Sequence, residues 1–197
     1  MKICILSSCF GGGYGTGDSL KKEVDELLKL GHELIIIHGE SKIDDYKKSG
    51  VKYFYFAFSK IPILGVLILQ RNINCIISKV LQENSVDIFY VHTLEFGLVS
   101  KKNIKEIPVV YFARSTIKGV EVHKTKEYFL DAIRKRFVVP LLLYLEKRCI
   151  KISQIIIVKS NIMKQELVCF YKVKSNKIKI IRGGIDTADF PKMNQKE

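Results

Sequence analysis

The sequence lacks any Cys-x-x-Cys pair, although it holds five cysteines in 197 residues. The five are scattered along the chain, at Cys4, Cys9, Cys75, Cys149 and Cys169. Such an odd, unpatterned set favours reduced thiols in a cytosol, and it argues against a disulfide framework or a zinc site. We expect Cys4 and Cys75, which have apolar neighbours, to be ordinary core residues.

Long hydrophobic runs are also missing. The longest, "IPILGVLIL" from Ile61 to Leu69, is about half the length that a helix needs to span a bilayer. The opening "MKICILSSC" has only a brief apolar stretch and does not resemble a signal peptide. We therefore expect no transmembrane segment, and a cytoplasmic location.

Negative charge is scarce: 20 acidic residues face 33 basic ones, which leaves a formal net charge of +13. This excess indicates an anionic partner, such as a phospholipid surface, nucleic acid or a phosphorylated substrate, or else a solvated basic face. The sequence shows no interleaved aromatic platform or known reading motif, so nucleic-acid binding is not expected.

Several cations accompany the apolar segment "RKRFVVPLLLYLEKRC". On an anionic lipid surface each nearby cation would add roughly 1 kcal/mol. The segment therefore predicts membrane contact, although an inner helix with solvated basic ends would have the same pattern. The candidate membrane or anion contacts are Arg134, Lys135, Arg136, Lys147 and Arg148.

Internal repeats and low-complexity linkers are absent as well, and short apolar runs alternate with helix-period segments. Asp18 is a candidate N-cap and Gly31 a stop for the first helix, whereas Pro140 must kink or break a long helix over 127–151. The pattern predicts a doubly wound, mainly parallel, Rossmann-like α/β sheet. Strands are expected over 2–6, 32–38, 51–58, 86–92, 108–113, 154–160 and 177–183, and helices over 18–30, 63–82, 127–151 and 162–171.

What the chain does have, directly after its first predicted strand, is a glycine-rich loop, "SSCFGGGYGTGDS". No register of its glycines fits Gly-x-Gly-x-x-Gly, although Glu40 is placed like the acid that holds a ribose. A phosphate P-loop fails because Asp18 stands where lysine is required. Two interpretations stay open: a helix N-terminus that approaches an anion through backbone N–H groups, and a tight turn without a ligand.

The second half of the chain carries an ordered set of motifs. It has Glu146 on a predicted helix, Val-x-Ser at 158–160, and "KIKIIRGGIDTADF" at 177–190. Upstream, "GHEL" at 31–34, "VDIFYVHT" at 86–93 and "IPVVYFAR" at 107–114 occur in matching order. This set resembles the large retaining family four of the GT-B-fold glycosyltransferases, over nearly the whole chain. Arg114, Gln154 and Arg182–Gly183 depart from its usual residues.

The resemblance implies that residues 1–186 form the Rossmann-like N-terminal, acceptor-side domain of a GT-B architecture. Residues 187–197 would begin the interdomain linker. The C-terminal domain that holds the nucleotide-sugar in that family is not in this sequence. It is expected in the same chain or in a separate subunit, and this chain alone is expected to be inactive or nearly so.

The implied reaction moves a sugar from a nucleotide-sugar to an acceptor hydroxyl, with retention and with no metal or other cofactor. The acceptor would be a sugar, a lipid-linked molecule or a polysaccharide, and the enzyme would be peripheral on the inner face of the cell membrane. A freestanding Rossmann-like module that binds a nucleotide or phosphorylated ligand without catalysis is the alternative. A basic scaffold with steep salt dependence is a third.

The resemblance also assigns candidate roles. His92, Arg114 and Ser115 are the catalytic candidates; His92 would bind or polarise the sugar, and Arg114 would grip a phosphate or carboxylate. His32 and His38 are assigned to structure. The loop against the donor diphosphate and acceptor would use Gly13, Gly15 and Gly17, and the acceptor-side candidates are Glu121 and His123.

Overall fold

The computed structural model describes residues 1–8, 10, 15–39, 48–57, 62–104, 106–122, 136 and 138–183. At 15–18, 62–64 and 122 only the backbone is described. Gly13, Glu40, His123, Arg134 and Lys135 lie outside these residues, as do the expected linker at 187–197 and the last part of the expected domain.

Within the described residues the chain builds one sheet of seven parallel strands. Isoleucine and valine dominate the strands, and the five residues from Leu34 to His38 are all buried, as in a parallel strand covered on both faces. The strands are β1 Lys2–Ser7, β2 Glu33–His38, β3 Val51–Tyr55, β4 Ile88–Val91, β5 Val109–Ala113, β6 Ile155–Val158 and β7 Ile178–Ile180.

Helices connect most of these strands, as the parallel arrangement requires. They are α1 Gly15–Lys29, α2 Pro62–Glu83, α3 Lys101–Ile104, α4 Ile117–Val122, α5 Val139–Ile152 and α6 Asn161–Tyr171, with 3-10 helices at Leu94–Leu98 and Ser175–Lys177. The larger core cluster includes residues of α2, the first 3-10 helix, α5 and α6, whereas a smaller cluster on the other side of the sheet includes Leu20 and Val24 of α1.

The strand order is β3-β2-β1-β4-β5-β6-β7. The chain therefore winds outward from β1 in one direction and then outward from β4 in the other. In such open sheets, ligands bind beyond the carboxyl ends of the strands near this reversal. The fold thus confirms the prediction of a doubly wound, Rossmann-like sheet. A ligand site is expected at the edge where β1, β4, β5 and β6 end.

Two local expectations are wrong. Helix α1 begins at Gly15, so Asp18 lies in its first turn and is not its N-cap. Cys75 is exposed, whereas Cys4 is buried as expected. Pro140 stands in the first turn of α5, which begins at Val139, where its missing N–H removes no helical hydrogen bond; residues 127–135 of the longer predicted helix lie outside the described residues.

The stop signal of α1 is confirmed. Gly31 has φ +78°, a left-handed conformation that glycine adopts without a steric penalty. Its N–H donates to the Leu28 carbonyl at 2.9 Å, and the His32 N–H donates to the Leu27 carbonyl at 3.1 Å. These two bonds cap the last turn and lead the chain directly into β2.

Candidate functional site

Three neighbouring strands deliver polar side chains to the same edge of the sheet. His92 directly follows β4, Arg114 directly follows β5, and Lys159 directly follows β6. Ala113 is in register with Val158, so Arg114 and Lys159 stand one residue beyond a paired position. The edge near the reversal of strand order is therefore strongly basic.

His92 lies beneath this edge. Its side chain has no solvent exposure, and its ring packs against Tyr90 at 4.3 Å and Phe112 at 5.1 Å between ring centroids. The Arg114 Nη2 lies 3.3 Å from His92 Nδ1. Because a guanidinium can only donate, Nδ1 accepts, and the neutral imidazole carries its hydrogen on Nε2.

The electrostatic environment keeps this imidazole neutral. Burial, followed by the positive charges of Arg114 and Lys159, lowers the pKa of His92 to about 3. Both effects disfavour a second proton on the ring, the first through desolvation and the second through like-charge repulsion. His92 in this state is a hydrogen-bonding group and not a source of positive charge.

The opposite side of His92 faces a carboxylate on α1. The Tyr90 hydroxyl donates to Glu23 Oε2 at 2.9 Å, and burial, with the Glu23 carboxylate next, raises the pKa of Tyr90. The same oxygen is 3.6 Å from His92 Nε2, which is beyond hydrogen-bond distance. Nε2 is buried and has no hydrogen-bond partner within the described part of the chain.

The Phe112 ring contacts both cations at the strand ends, Arg114 and Lys159. The Arg114 guanidinium carbon and the Lys159 Nζ each lie 5.6 Å from its centroid, within the range of cation–π attraction. Phe112 itself is buried and tilts against His92. The site therefore has an acidic wall at Glu23, a neutral histidine in the middle and a basic wall at Arg114 and Lys159.

A hydrogen-bonded clamp fixes the chain just after Arg114. The buried carboxylate of Glu146 accepts from the Ile117 N–H, with both oxygens at 3.2 Å, and from the Tyr171 hydroxyl. The Thr116 hydroxyl donates to Glu166 at 2.6 Å. Burial raises the pKa of Glu146, and the Tyr171 and Ile117 donors oppose that shift. The turn that carries Arg114 and Ser115 is thus tied to α5 and α6.

Other predicted site residues are placed as follows. Ser115 is exposed beside Arg114, and Glu121 is half-buried in α4, the short helix that follows this turn. Gly15 and Gly17 lie in the first turn of α1. Their backbone therefore belongs to a helix N-terminus, the location that favours an anion.

Three of the predicted membrane contacts lie within the described residues. Arg136 is exposed ahead of α5 and Lys147 is exposed further along that helix. Arg148 is half-buried; its Nη2 donates to the Val99 carbonyl at 3.2 Å, and its guanidinium carbon lies 5.9 Å from the centroid of the Tyr144 ring. A groove of about 810 Å³ lies beyond the far ends of α5 and α6, and it is lined by Lys147, Lys151, Lys172, Lys174 and Lys177, together with Phe170.

Sequence reasoning missed Glu23, Tyr90 and Lys159. Glu23 reads as one more solvated charge of an amphipathic helix, and only the packing of α1 on the sheet brings it to His92. Lys159 could have been predicted as a site residue, because it is the first residue after a buried strand, as His92 and Arg114 are. In the described ranges no helix is long and apolar enough to cross a bilayer, and no group of three or more potential metal ligands occurs.

A protein-family model described as Glycosyltransferase Family 4 matches residues 15–189 of this chain. Among curated proteins, no sequence matches it at a significant level.

Solved structures share the fold. A glycosyltransferase from Rickettsia africae ESF-5 aligns with a TM-score of 0.58 and 18% identity, over 97% of this chain and 46% of its own. Sucrose-phosphate synthase from Thermosynechococcus elongatus aligns with a TM-score of 0.65 and 13% identity, over 94% of this chain and 48% of its own. The HepE protein of Anabaena, solved with UDP and glucose, aligns with a TM-score of 0.57 and 14% identity, over 94% of this chain and 45% of its own. The chain spans about half the length of these relatives.

Proposed function

The chain belongs to Glycosyltransferase Family 4, and from this premise we propose that it is the acceptor-side half of a nucleotide-sugar-dependent transferase. The sugar moves from the nucleotide to an acceptor hydroxyl with retention of configuration, and without a metal or other cofactor. The observation that carries the proposal is the cluster of His92, Arg114 and Lys159 at the strand ends next to the reversal of strand order. This is the place where folds of this type bind their ligands.

Each residue of the cluster has a separate task in this proposal. The backbone N–H groups around Gly15 and Gly17, at the start of α1, face the donor diphosphate, which the positive end of the helix attracts. Arg114 grips a phosphate or carboxylate of the donor or acceptor, and Ser115, exposed beside it, contacts the reacting sugars. His92 is a positioning residue, because its buried ring holds the Arg114 guanidinium through Nδ1. Glu121, in α4, lies on the acceptor side.

A second Rossmann-like domain completes the enzyme in this proposal and supplies most of the contacts with the nucleotide and donor sugar. It is either further along the same polypeptide or a separate subunit. The half-length match to solved glycosyltransferases supports this division. The mass of the native polypeptide, measured with an antibody against this domain, distinguishes the two arrangements.

The decisive experiment assays sugar transfer by the complete native protein. A panel of radiolabelled nucleotide-sugars is incubated with lipid and polysaccharide fractions, with and without EDTA. We expect transfer that survives EDTA, a loss of about 10²-fold or more in kcat/KM for Arg114→Gln, and an unchanged rate for Lys174→Gln. The isolated 197-residue chain should transfer nothing.

Other outcomes of this experiment overturn the proposal. Tight nucleotide binding by the isolated chain, combined with no transfer by the native protein, would favour the non-catalytic module. An unchanged transfer rate in Arg114→Gln would show that Arg114 has no role in the reaction. A requirement for a divalent metal would contradict the metal-independent step.

We further propose that the enzyme works at an anionic membrane surface. Exposed apolar side chains accompany an exposed cation on each of two elements that contact the same 3-10 helix: Leu67 and Arg71 on α2, and Tyr144 and Arg136 on or next to α5. A surface of this composition buries apolar groups in the interface while its cations meet lipid phosphates. Co-flotation with phosphatidylglycerol vesicles, and not with purely zwitterionic ones, is the result that this placement requires.

A further inference from the structure

We propose that Arg114 and Lys159 form an oxyanion-binding subsite that holds a phosphate or carboxylate group of a substrate. The inference rests on the proposed function for its biological setting, and it names the charged group that the basic wall takes. Two sources share this chemistry: an acidic group on the acceptor, and the diphosphate of the donor. Lys159 is the new element, since neither the sequence motifs nor the family membership gives it a role.

The two cations are brought together by packing and not by charge. Both lie 5.6 Å from the centroid of the Phe112 ring, and both lower the pKa of His92. Two like charges around one ring repel each other in the absence of an anion. An anion placed between them would convert this repulsion into two favourable contacts.

Neutralising partners are missing from the described part of the molecule. The ion pairs found there involve other lysines and His92, and none of them includes Arg114 or Lys159. Glu23, whose carboxylate lies 3.6 Å from His92 Nε2, is on the other side of the ring from Arg114 and already accepts from Tyr90. The basic wall therefore keeps its charge available.

The neutral histidine preserves the donors of Arg114. Its Nδ1 receives one Nη2 hydrogen, which leaves the other hydrogens of the five-donor guanidinium for a ligand. A carboxylate in the same position would have formed an ion pair and would have compensated the charge. His92 thus orients the guanidinium without neutralising it, and this arrangement suits a planar, two-point contact with an oxyanion.

The surroundings of Lys159 favour the same ligand. Ser160 caps the N-terminus of the 11-residue helix α6, where its Oγ accepts from the Met163 N–H at 3.2 Å. The positive end of that helix dipole therefore follows Lys159 immediately. A Cβ built on Gly183 would lie 3.8 Å from Lys159 Nζ. The lysine therefore reaches the segment through which the chain continues beyond β7.

The test uses the 197-residue chain and defined anions. Inorganic phosphate, pyrophosphate, UDP, glucose 1-phosphate and glucuronate are titrated by isothermal calorimetry, with ¹H–¹⁵N spectra to locate the shifts. We expect at least one anion to bind and to shift Arg114, Lys159 and Phe112. Arg114→Gln or Lys159→Gln should weaken binding about tenfold or more, because each removes a charge-assisted hydrogen bond. The double variant should abolish it.

Matched controls separate a built subsite from general basicity. The double variant Lys151→Gln with Lys174→Gln removes an equal number of positive charges, two, from the far groove. It should leave the anion affinity within twofold of that of the unaltered chain. Arg114→Lys keeps the charge but loses the planar fork, and it should weaken binding less than Arg114→Gln. Thermal unfolding of each variant shows whether the fold is retained.

The panel also distinguishes the two sources. Tighter binding of pyrophosphate and UDP than of glucose 1-phosphate and glucuronate assigns the subsite to the donor diphosphate. The reverse order assigns it to an acidic acceptor. If no anion binds, or if the far-groove double variant loses as much affinity as Arg114→Gln with Lys159→Gln, the proposal is wrong. Binding without any sugar transfer by the native protein would instead reject the proposed function and leave the subsite standing.

Discussion

At the scale of single residues, the site depends on a histidine that stays neutral because it is buried between aromatic rings and beside two cations. His92 has no exposed side-chain surface, and burial together with Arg114 and Lys159 lowers its pKa to about 3. An ordinary histidine titrates near 6.5. The difference affects both the spectrum of the residue and the stability of the protein.

We predict that His92 keeps the Nε2–H tautomer from pH 7.5 to pH 4.5. Long-range ¹H–¹⁵N spectra of the imidazole should show no protonation over this range. In Arg114→Gln the pKa of His92 should rise, though not to 6.5, because burial is the larger cause of the shift and remains. Protonation of His92 near pH 6.5 in the unaltered protein would contradict this electrostatic description.

The lowered pKa of His92 also makes the stability of the protein depend on pH. Below pH 6.5 the unfolded chain binds a proton at His92 and the folded chain does not, so the free energy of unfolding falls as the pH is lowered from 6.5 towards 3. At pH 5 the loss from this residue is roughly 2 kcal/mol. Urea unfolding at pH 7 and pH 5 measures it, and His92→Asn should reduce the difference between the two.

Two glycines give a residue-scale comparison. A Cβ on Gly97 would lie 2.6 Å from the Leu145 backbone carbonyl oxygen, whereas a Cβ on Gly119 would meet the ends of the Glu166 and Thr116 side chains at 2.5–2.6 Å. Backbone cannot yield as readily as a side-chain end. Gly97→Ala should therefore cost about 1–3 kcal/mol in urea unfolding, and Gly119→Ala less; an equal cost would show that the α4 contact is as rigid as the α5 contact.

At the scale of elements, α4 depends on the carboxylate clamp for its position. Glu146→Ala would leave the half-buried Ile117 N–H and the Tyr171 hydroxyl without their acceptor, at a cost of about 2 kcal/mol. Hydrogen exchange at 117–121 should accelerate. Glu146→Gln retains an acceptor oxygen and should cost less. Unchanged exchange in the alanine variant would show that the helix is held by apolar packing alone.

The elements differ in how well the sequence predicts them. All seven strands were predicted, because buried parallel strands are continuous apolar runs, and the family was predicted from motifs at their ends. The 3-10 helix Leu94–Leu98 and α4 were missed, since five or six residues contain too few turns to show a period. Cys75 was misplaced because it lies on the face of α2 opposite Ile73 and Ile77, which are buried.

The candidate site was predicted only where it coincides with strand ends. His92 and Arg114 follow buried strands and could be proposed from the sequence alone. Their contact at 3.3 Å depends on strand order, which the sequence does not specify. Glu23 reaches His92 only through the packing of α1 on the sheet, so a contact between residues 69 positions apart in the chain has no local signal.

At the scale of the whole molecule, charge and exposed apolar surface predict two separable contributions to membrane binding. Arg136→Gln with Arg71→Gln should weaken co-flotation with anionic vesicles at low salt, because long-range attraction is screened little there. Leu67→Ser with Tyr144→Ser should mainly weaken the binding that survives 0.5 M salt, about the concentration at which surface charges are largely screened. Lys174→Gln, which alters the far groove just beyond the C-terminal end of α6, should change neither the low-salt nor the high-salt binding.

The strand order has a consequence for synthesis of the protein on the ribosome. Strand β1 is flanked by β2 and β4, and the Lys2 N–H bonds to the Asp87 carboxylate, 85 positions later in the chain. At about 5–20 residues per second, the second neighbour of β1 emerges roughly 4 to 17 s after the first strand. During that interval one edge of an apolar strand is unpaired, and it offers hydrogen-bonding groups to any other nascent chain. Strand β1, which is interior in the finished sheet, is thus exposed at an edge of the unfinished one.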